Sequence, residues 1–94
     1  MFFTDVKGIE KSRTICKVIA TVEETKTMGD WIFFRIKDKS GSAVVRVSES
    51  VIGVPCFRRF RTLKEGEKVV LWGDPEKENP RTSAMEVRGF NRIH

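Results

Sequence analysis

Residues 31–47 read Trp-Ile-Phe-Phe-Arg-Ile-Lys-Asp-Lys-Ser-Gly-Ser-Ala-Val-Val-Arg-Val, and no other stretch restricts the fold as tightly. Sorted by parity, its opening splits into an apolar set, Ile32, Phe34 and Ile36, and a mixed set, Trp31, Phe33, Arg35 and Lys37. A period of two is the mark of a strand with one face covered. Turning the mixed set inward would strip water from two unpaired cations, at a cost on the order of several kcal/mol each. Ile32, Phe34 and Ile36 therefore face a core, and Trp31 and Phe33 face out. Asp38-Lys39-Ser40-Gly41 is turn chemistry, with an aspartate that bonds its own backbone and a glycine free to take positive φ. In the next strand the charge of Arg46 sends Ala43, Val45 and Val47 inward and leaves Val44 and Arg46 outside. One surface of this ribbon thus sets aromatic and basic side chains next to each other. Bases have π faces to stack and their backbone carries negative charge, so single-stranded nucleic acid suits such a surface.

The rest of the chain extends the same pattern. Residues 1–12 hold Phe2, Phe3, Val6 and Ile9 without a period of two, and read as a lead-in turn or short helix that lays Phe2 and Phe3 against the domain. Residues 13–24 form a first strand: Cys16, Val18, Ala20 and Val22 point in, while Lys17 fixes its own parity, with Ile19 and Thr21, as outward. Glu23 and Glu24 are neighbours on that strand, so they point to opposite faces and cannot act as a carboxylate pair. Residues 24–30 are a polar connector closed by Gly29-Asp30. Residues 48–64 break the alternation. Ser48 or Ser50 can cap a helix there, with Val51, Ile52, Val54, Phe57, Phe60 and Leu63 as a roughly helical apolar set. Pro55 rules out one continuous helix but fits the first turn of a helix from Pro55 to Leu63. After a turn at residues 64–67, a fourth strand over 68–73 points Val69 and Leu71 in and Val70 and Trp72 out. Pro75 and Pro80 make residues 74–83 a loop. A last strand over 84–93 has Met85 and Val87 inside, Glu86 and Arg88 outside, and a bulge at Gly89, beyond which Phe90 and Ile93 leave the alternation. No repeat or linker divides the chain, and it reads as one domain over residues 1–94, with its barrel over 13–93.

With 94 residues the chain has material for one modest core. The 18 Lys and Arg against 13 Asp and Glu give a formal charge of +5, which favours polyanionic partners. Cys16 and Cys56 lack metal-ligand spacing and read as core thiols in a reducing compartment. No signal-peptide pattern opens the sequence, and no apolar run approaches the ~20 residues of a membrane span. The expected location is cytoplasmic or nuclear, with no membrane partner. Glutamine is absent and Lys, Arg and Glu are abundant, a thermophile-like bias. The only histidine is the terminal His94, and no Gly-x-x-x-x-Gly-Lys loop occurs. The reading is a non-enzyme with no cofactor, metal or small-molecule substrate.

Five strands with one helical segment between the third and fourth is the order of an all-β, Greek-key oligonucleotide/oligosaccharide-binding (OB) barrel. Phe34-Arg35-Ile36-Lys37-Asp38-Lys39-Ser40-Gly41 resembles the Phe-x-Leu-x-Asp-x-Ser/Thr-Gly segment that ends the second strand of many such domains. Leu63-Lys64-Glu65-Gly66-Glu67-Lys68-Val69-Val70-Leu71-Trp72-Gly73 is similar to the Leu-x-x-Gly-x-x-Val-x-Val-x-Gly that leads into their fourth. The likeness is greatest to the single-strand DNA-binding domains of replication protein A and the anticodon-binding domains of class II aminoacyl-tRNA synthetases. It implies a groove over the second and third strands, bordered by the loop after strand one and the loop between strands four and five. That groove would hold Trp31, Phe33, Arg35, Lys37, Val44 and Arg46, with Lys17, Ile19 and Thr21 from strand one. The first loop would add Lys26 and Met28, and the second Lys77, Asn79 and Arg81. The expected ligand is single-stranded DNA, or RNA, bound with little sequence preference.

Several of these residues admit a second role. Phe33 either stacks a base beside Arg35 or packs under a loop, Trp31 stacks or covers the barrel end, and Trp72 caps the barrel or adds a further ring. Arg58, Arg59 and Arg61 form either a solvated helix face or a secondary contact. The whole surface has an alternative too, with Trp31, Phe33, Val44 and Val70 as an apolar patch with a basic rim. It would dock a protein partner or a second copy within a larger replication, repair or RNA-processing assembly.

Overall fold

The computed structural model describes residues 3–77 and 82–93. A 3-10 helix, Val6–Lys11, leads into β1 (Cys16–Met28), β2 (Trp31–Asp38) and β3 (Gly41–Ser48). Two short helices follow, α1 (Glu49–Ile52) and α2 (Val54–Phe60), and then β4 (Lys68–Pro75) and β5 (Met85–Arg92). The strands close into a barrel in the order β1-β2-β3-β5-β4. Every pairing is antiparallel except β3 with β5, which meet in parallel at Val45–Met85 and Arg46–Glu86. This is the OB architecture expected from the sequence, with its helical segment between β3 and β4.

The inward sets are the core. Cys16, Val18, Ala20, Val22, Ile32, Phe34, Ile36, Val45, Val47, Val69, Leu71, Met85 and Val87 are each at most 2% exposed. Covering a large side chain of this kind stabilises the fold by roughly 1.5–3 kcal/mol. Ala43 is half-buried against the same core. The α2 helix supplies Phe57 and Phe60, and the Phe60 ring lies 4.5 Å from Phe90 and 6.3 Å from Phe34. Pro55 sits in the first turn of α2, where its missing N–H costs nothing. Gly53 at φ 85° separates the two helices. That break turns Val51 and Val54 outward, each 44% exposed, so of the first three residues expected in the apolar set only Ile52 packs on the core.

The lead-in segment packs differently from the expectation. Val6 and Ile9 are the buried residues and Phe3 is 52% exposed, while Phe2 lies outside the described residues. The β2–β3 turn fixes this segment in place. Val6 N donates to Asp38 Oδ2 at 2.9 Å, Lys7 N donates to Ser40 Oγ at 2.9 Å, and Asp38 Oδ1 accepts from Ser40 N at 2.8 Å. Partial burial is the largest single influence on the Asp38 carboxyl and works against its charge. The hydrogen bonds from Ser40, Val6 and Gly41 together outweigh it and hold the group below the ordinary aspartate value.

Strand boundaries depart from the reading at three places, and two bulges account for most of the difference. Residues 24–28, expected in a loop, continue β1 and pair with β2, leaving only Gly29 and Asp30 as the turn. The register between them slips at Glu23. The β4 strand runs on through Asp74 and Pro75, opposite Glu86 and Met85, since a proline is tolerated at a strand end. In β5 the ladder skips Arg88, next to the glycine where a bulge was expected, and this resets the parity so that Phe90 points in.

Candidate nucleic-acid interface

The outer face of β2 presents Trp31, Phe33, Arg35 and Lys37 in that order, because their neighbours Ile32, Phe34 and Ile36 are drawn into the core. Trp31 and Phe33 are half-buried, and their rings stack on each other at 6.5 Å with 23° between planes. Arg35 and Lys37 are exposed. The ladders set neighbours beside each of the four. Trp31 lies between Met28 and Ser48, Phe33 between Lys26 and Arg46, Arg35 between Glu24 and Val44, and Lys37 between Thr21 and Ser42. A shallow hollow of about 120 Å³ opens beside Phe33, with Lys26, Arg35 and Val44 in its walls.

Nine of the expected residues are therefore brought onto one surface, Trp31, Phe33, Arg35, Lys37, Val44, Arg46, Thr21, Lys26 and Met28, and Glu76, which the sequence did not point to, reaches Arg46 from the β4–β5 connection.

 Lys26 and Met28 reach the face from a strand and not from a loop. Their place follows from the slip at Glu23, which returns Glu24, Lys26 and Met28 to the side of Arg35, Phe33 and Trp31.

Other expected residues lie elsewhere. The first half of β1, Cys16 to Thr21, pairs with β4, so Lys17 stands opposite Trp72 and Ile19 opposite Val70, away from the two stacked rings. Lys17 Nζ sits 5.7 Å from the Phe3 ring and 5.8 Å from the Trp72 ring. Trp72 lies over Gly89 of the neighbouring strand, where a Cβ would come up against its indole. Val70 is separated from Phe33 and Val44 by β1, so the four-residue apolar patch is not continuous. Lys77 Nζ donates to the Arg13 carbonyl at 3.3 Å, at the entry to β1. Asn79 and Arg81 lie outside the described residues. In the basic cluster, Arg58 and Arg61 are exposed and the Arg59 guanidinium lies 5.0 Å over the Phe90 ring.

The charges on the face are not equivalent. The Arg46 guanidinium pairs with Glu76 at 2.5 Å and Glu86 at 3.3 Å, and lies 5.0 Å from the Trp31 ring. Its charge is largely met, and it acts as a support for the indole. Among the described residues no ion pair involves Lys26, Arg35 or Lys37. Sequence reasoning missed the acidic side of the surface. The bulge brings Glu24 round to the outer face that Glu23 already occupies by parity, where Glu23 Oε1 accepts from Ser42 Oγ at 2.6 Å, so Glu23 and Glu24 do not point to opposite faces. A break in parity after Val22, where five polar residues follow in succession, is the only trace of this in the sequence. Among the described residues no group of three or more His, Cys, Asp or Glu is placed to hold a metal, and no helix is long and apolar enough to cross a membrane.

No protein-family model matches the chain, and no curated protein matches it. Solved structures do. Asparaginyl-tRNA synthetase from Pyrococcus horikoshii superposes with a TM-score of 0.83 at 18% identity, over 98% of this chain and 23% of the synthetase chain. Aspartyl-tRNA synthetase from Entamoeba histolytica gives 0.79 at 11% identity, over 99% of this chain and 21% of that one. A chain of the S. pombe Stn1-Ten1 complex gives 0.75 at 12% identity, over 86% of this chain and 59% of that one. The chain thus spans less than a quarter of the synthetase chains that it resembles. At these identities the likeness is one of architecture, and the architecture is that of an OB barrel.

Proposed function

We propose that this barrel binds single-stranded nucleic acid, DNA somewhat in preference to RNA, along the outer face of β2 and its neighbours, with little sequence preference. The observation that carries the reading is the Trp31–Phe33 stack, open on the outer face and flanked by Lys26 and Arg35, which have no carboxylate partner among the described residues. Stacked rings accept the face of any base, and free cations beside them accept the phosphates that connect those bases. The role is one of binding, with no bond made or broken. The similarity to parts of two aminoacyl-tRNA synthetases agrees with a nucleic-acid ligand.

The test is a titration of wild type and Phe33→Ala with a single-stranded oligonucleotide, followed by tryptophan fluorescence. Losing one stacking ring costs about 1–3 kcal/mol, or about 5- to 150-fold in affinity. Equal affinities for the two proteins would overturn the reading.

A second reading, a protein-docking subunit, draws on exposed apolar residues at the same end of the sheet. Met28 beside Trp31 is 52% exposed, and Val51 in α1, which follows β3, is 44% exposed. The likeness to a chain of the two-protein Stn1-Ten1 complex agrees with it. Native mass under dilution separates the readings, since docking predicts a stable dimer or hetero-complex with Phe33 covered.

A further inference from the structure

We propose a second anion site at the end of β2 remote from Trp31, which takes a backbone phosphate of the same single strand; it rests on the function proposed above. The site is built where β1 changes partners. Thr21 pairs with Lys68 of β4 on one side and with Lys37 of β2 on the other, so the two lysines flank one threonine on the outer wall. Lys39, in the β2–β3 turn, joins them around a cleft of about 480 Å³, to which Thr21 brings a hydroxyl group.

The cleft also has two carboxylates in its wall, Asp5 and Asp38. Both are engaged by the backbone. Asp38 accepts from Val6 N, Ser40 N and Ser40 Oγ, and Asp5 Oδ1 accepts from Gly8 N. Among the described residues no ion pair involves Lys37, Lys39 or Lys68. Three ammonium groups against two carboxylates leave the concavity with a small net positive charge, which favours a bound phosphate. Lysine suits this task, as a compact charge with rotatable donors on a flexible stem.

Position along the strand connects this site to the stacked rings. Lys37 is six residues beyond Trp31 on the same face, a run of roughly 20 Å at about 3.3 Å per residue. A dinucleotide on Trp31 and Phe33 does not reach the lysines. A strand of about four nucleotides or more does, at the lower end of the range known for one OB barrel. Lys39 and Lys68 lie beyond the groove read from the sequence, because only the β1–β4 register brings Lys68 to Lys37.

The test compares wild type, Lys39→Ala/Lys68→Ala and Lys39→Arg/Lys68→Arg, each titrated with a dinucleotide and an octanucleotide over a range of salt. For the octanucleotide, the alanine pair lowers the magnitude of the slope of log K against log salt by about 1.4, about 0.7 for each lost contact. The arginine pair keeps the wild-type slope, saturating fluorescence quenching is the same in all three, and dinucleotide affinity does not change. An unchanged slope in the alanine pair overturns the second site; if Phe33→Ala still weakens binding, the stacking face stands. Failure of wild type to bind either oligonucleotide overturns both.

Discussion

Arg35 and Arg46 carry the same charge on the same outer surface, yet their surroundings give them different work. Arg35 is exposed and no ion pair of the described residues involves it, whereas Arg46 is held by Glu76 and Glu86 beside the Trp31 ring. Only an uncompensated cation releases counterions when a phosphate binds. Arg35→Ala should therefore reduce the salt slope by about 0.7. Arg46→Met should leave the slope unchanged and weaken binding by loosening the indole, which is checked by titration at several salt concentrations. Asp38 gives a prediction of another kind. A carboxyl whose folded pKa is depressed adds stability above its unfolded value of about 3.9, and that stability is lost as the pH falls through the folded value. Asp38→Ala should cost about 1–3 kcal/mol at neutral pH, the value of its backbone hydrogen bonds. Urea unfolding of the two proteins should show the gap narrowing as the pH is lowered below about 4. A gap that stays constant into strong acid would mean that the carboxylate charge contributes nothing.

Between elements, the two bulges set where the outer face begins and ends. The β5 bulge sits against Gly73 of β4, where a Cβ would lie 2.1 Å from the Glu86 carbonyl oxygen and 2.8 Å from Val87 Cα. Backbone cannot yield as a side chain can. Gly73→Ala should destabilise the barrel by about 3 kcal/mol or more. Gly89→Ala meets the Trp72 ring instead. It should cost less and alter tryptophan emission, as denaturant midpoints and fluorescence would show. These bulges also explain what was legible in the sequence. Alternation in Ile32, Phe34 and Ile36, in Val45 and Val47, and in Val69 and Leu71 depends on nothing beyond the strand itself, and all of these residues are buried. The bulge at Glu23 depends on the register of β1 against β2, which no residue type within β1 specifies. Residues 24–28 therefore look like a loop, and Lys17 and Ile19 look as though they share a groove with Phe33. The Gly89 signal was legible because glycine there answers a steric demand, and Trp72 makes that demand.

For the molecule as a whole, a formal charge of +5 leaves open where the positive charge is concentrated. The fold answers by pairing some cations and freeing others. Arg46, Arg88 and Arg92 are matched to carboxylates, while Lys26, Arg35 and Lys37 line one strip beside the aromatic stack. Glu23 and Glu24 stand on the same strip and limit its net charge. Affinity by charge alone would then be modest, and stacking has to supply much of the rest. The most direct measurement is the affinity of wild type and Phe33→Ala for one single-stranded octanucleotide as salt is varied. Wild type should show a slope of roughly −2 or steeper, from about three phosphate contacts on the strip at about 0.7 each. Phe33→Ala should keep that slope and bind about 5- to 150-fold more weakly at every salt concentration. A flat salt response in wild type, or equal affinity of the two proteins, would contradict the account.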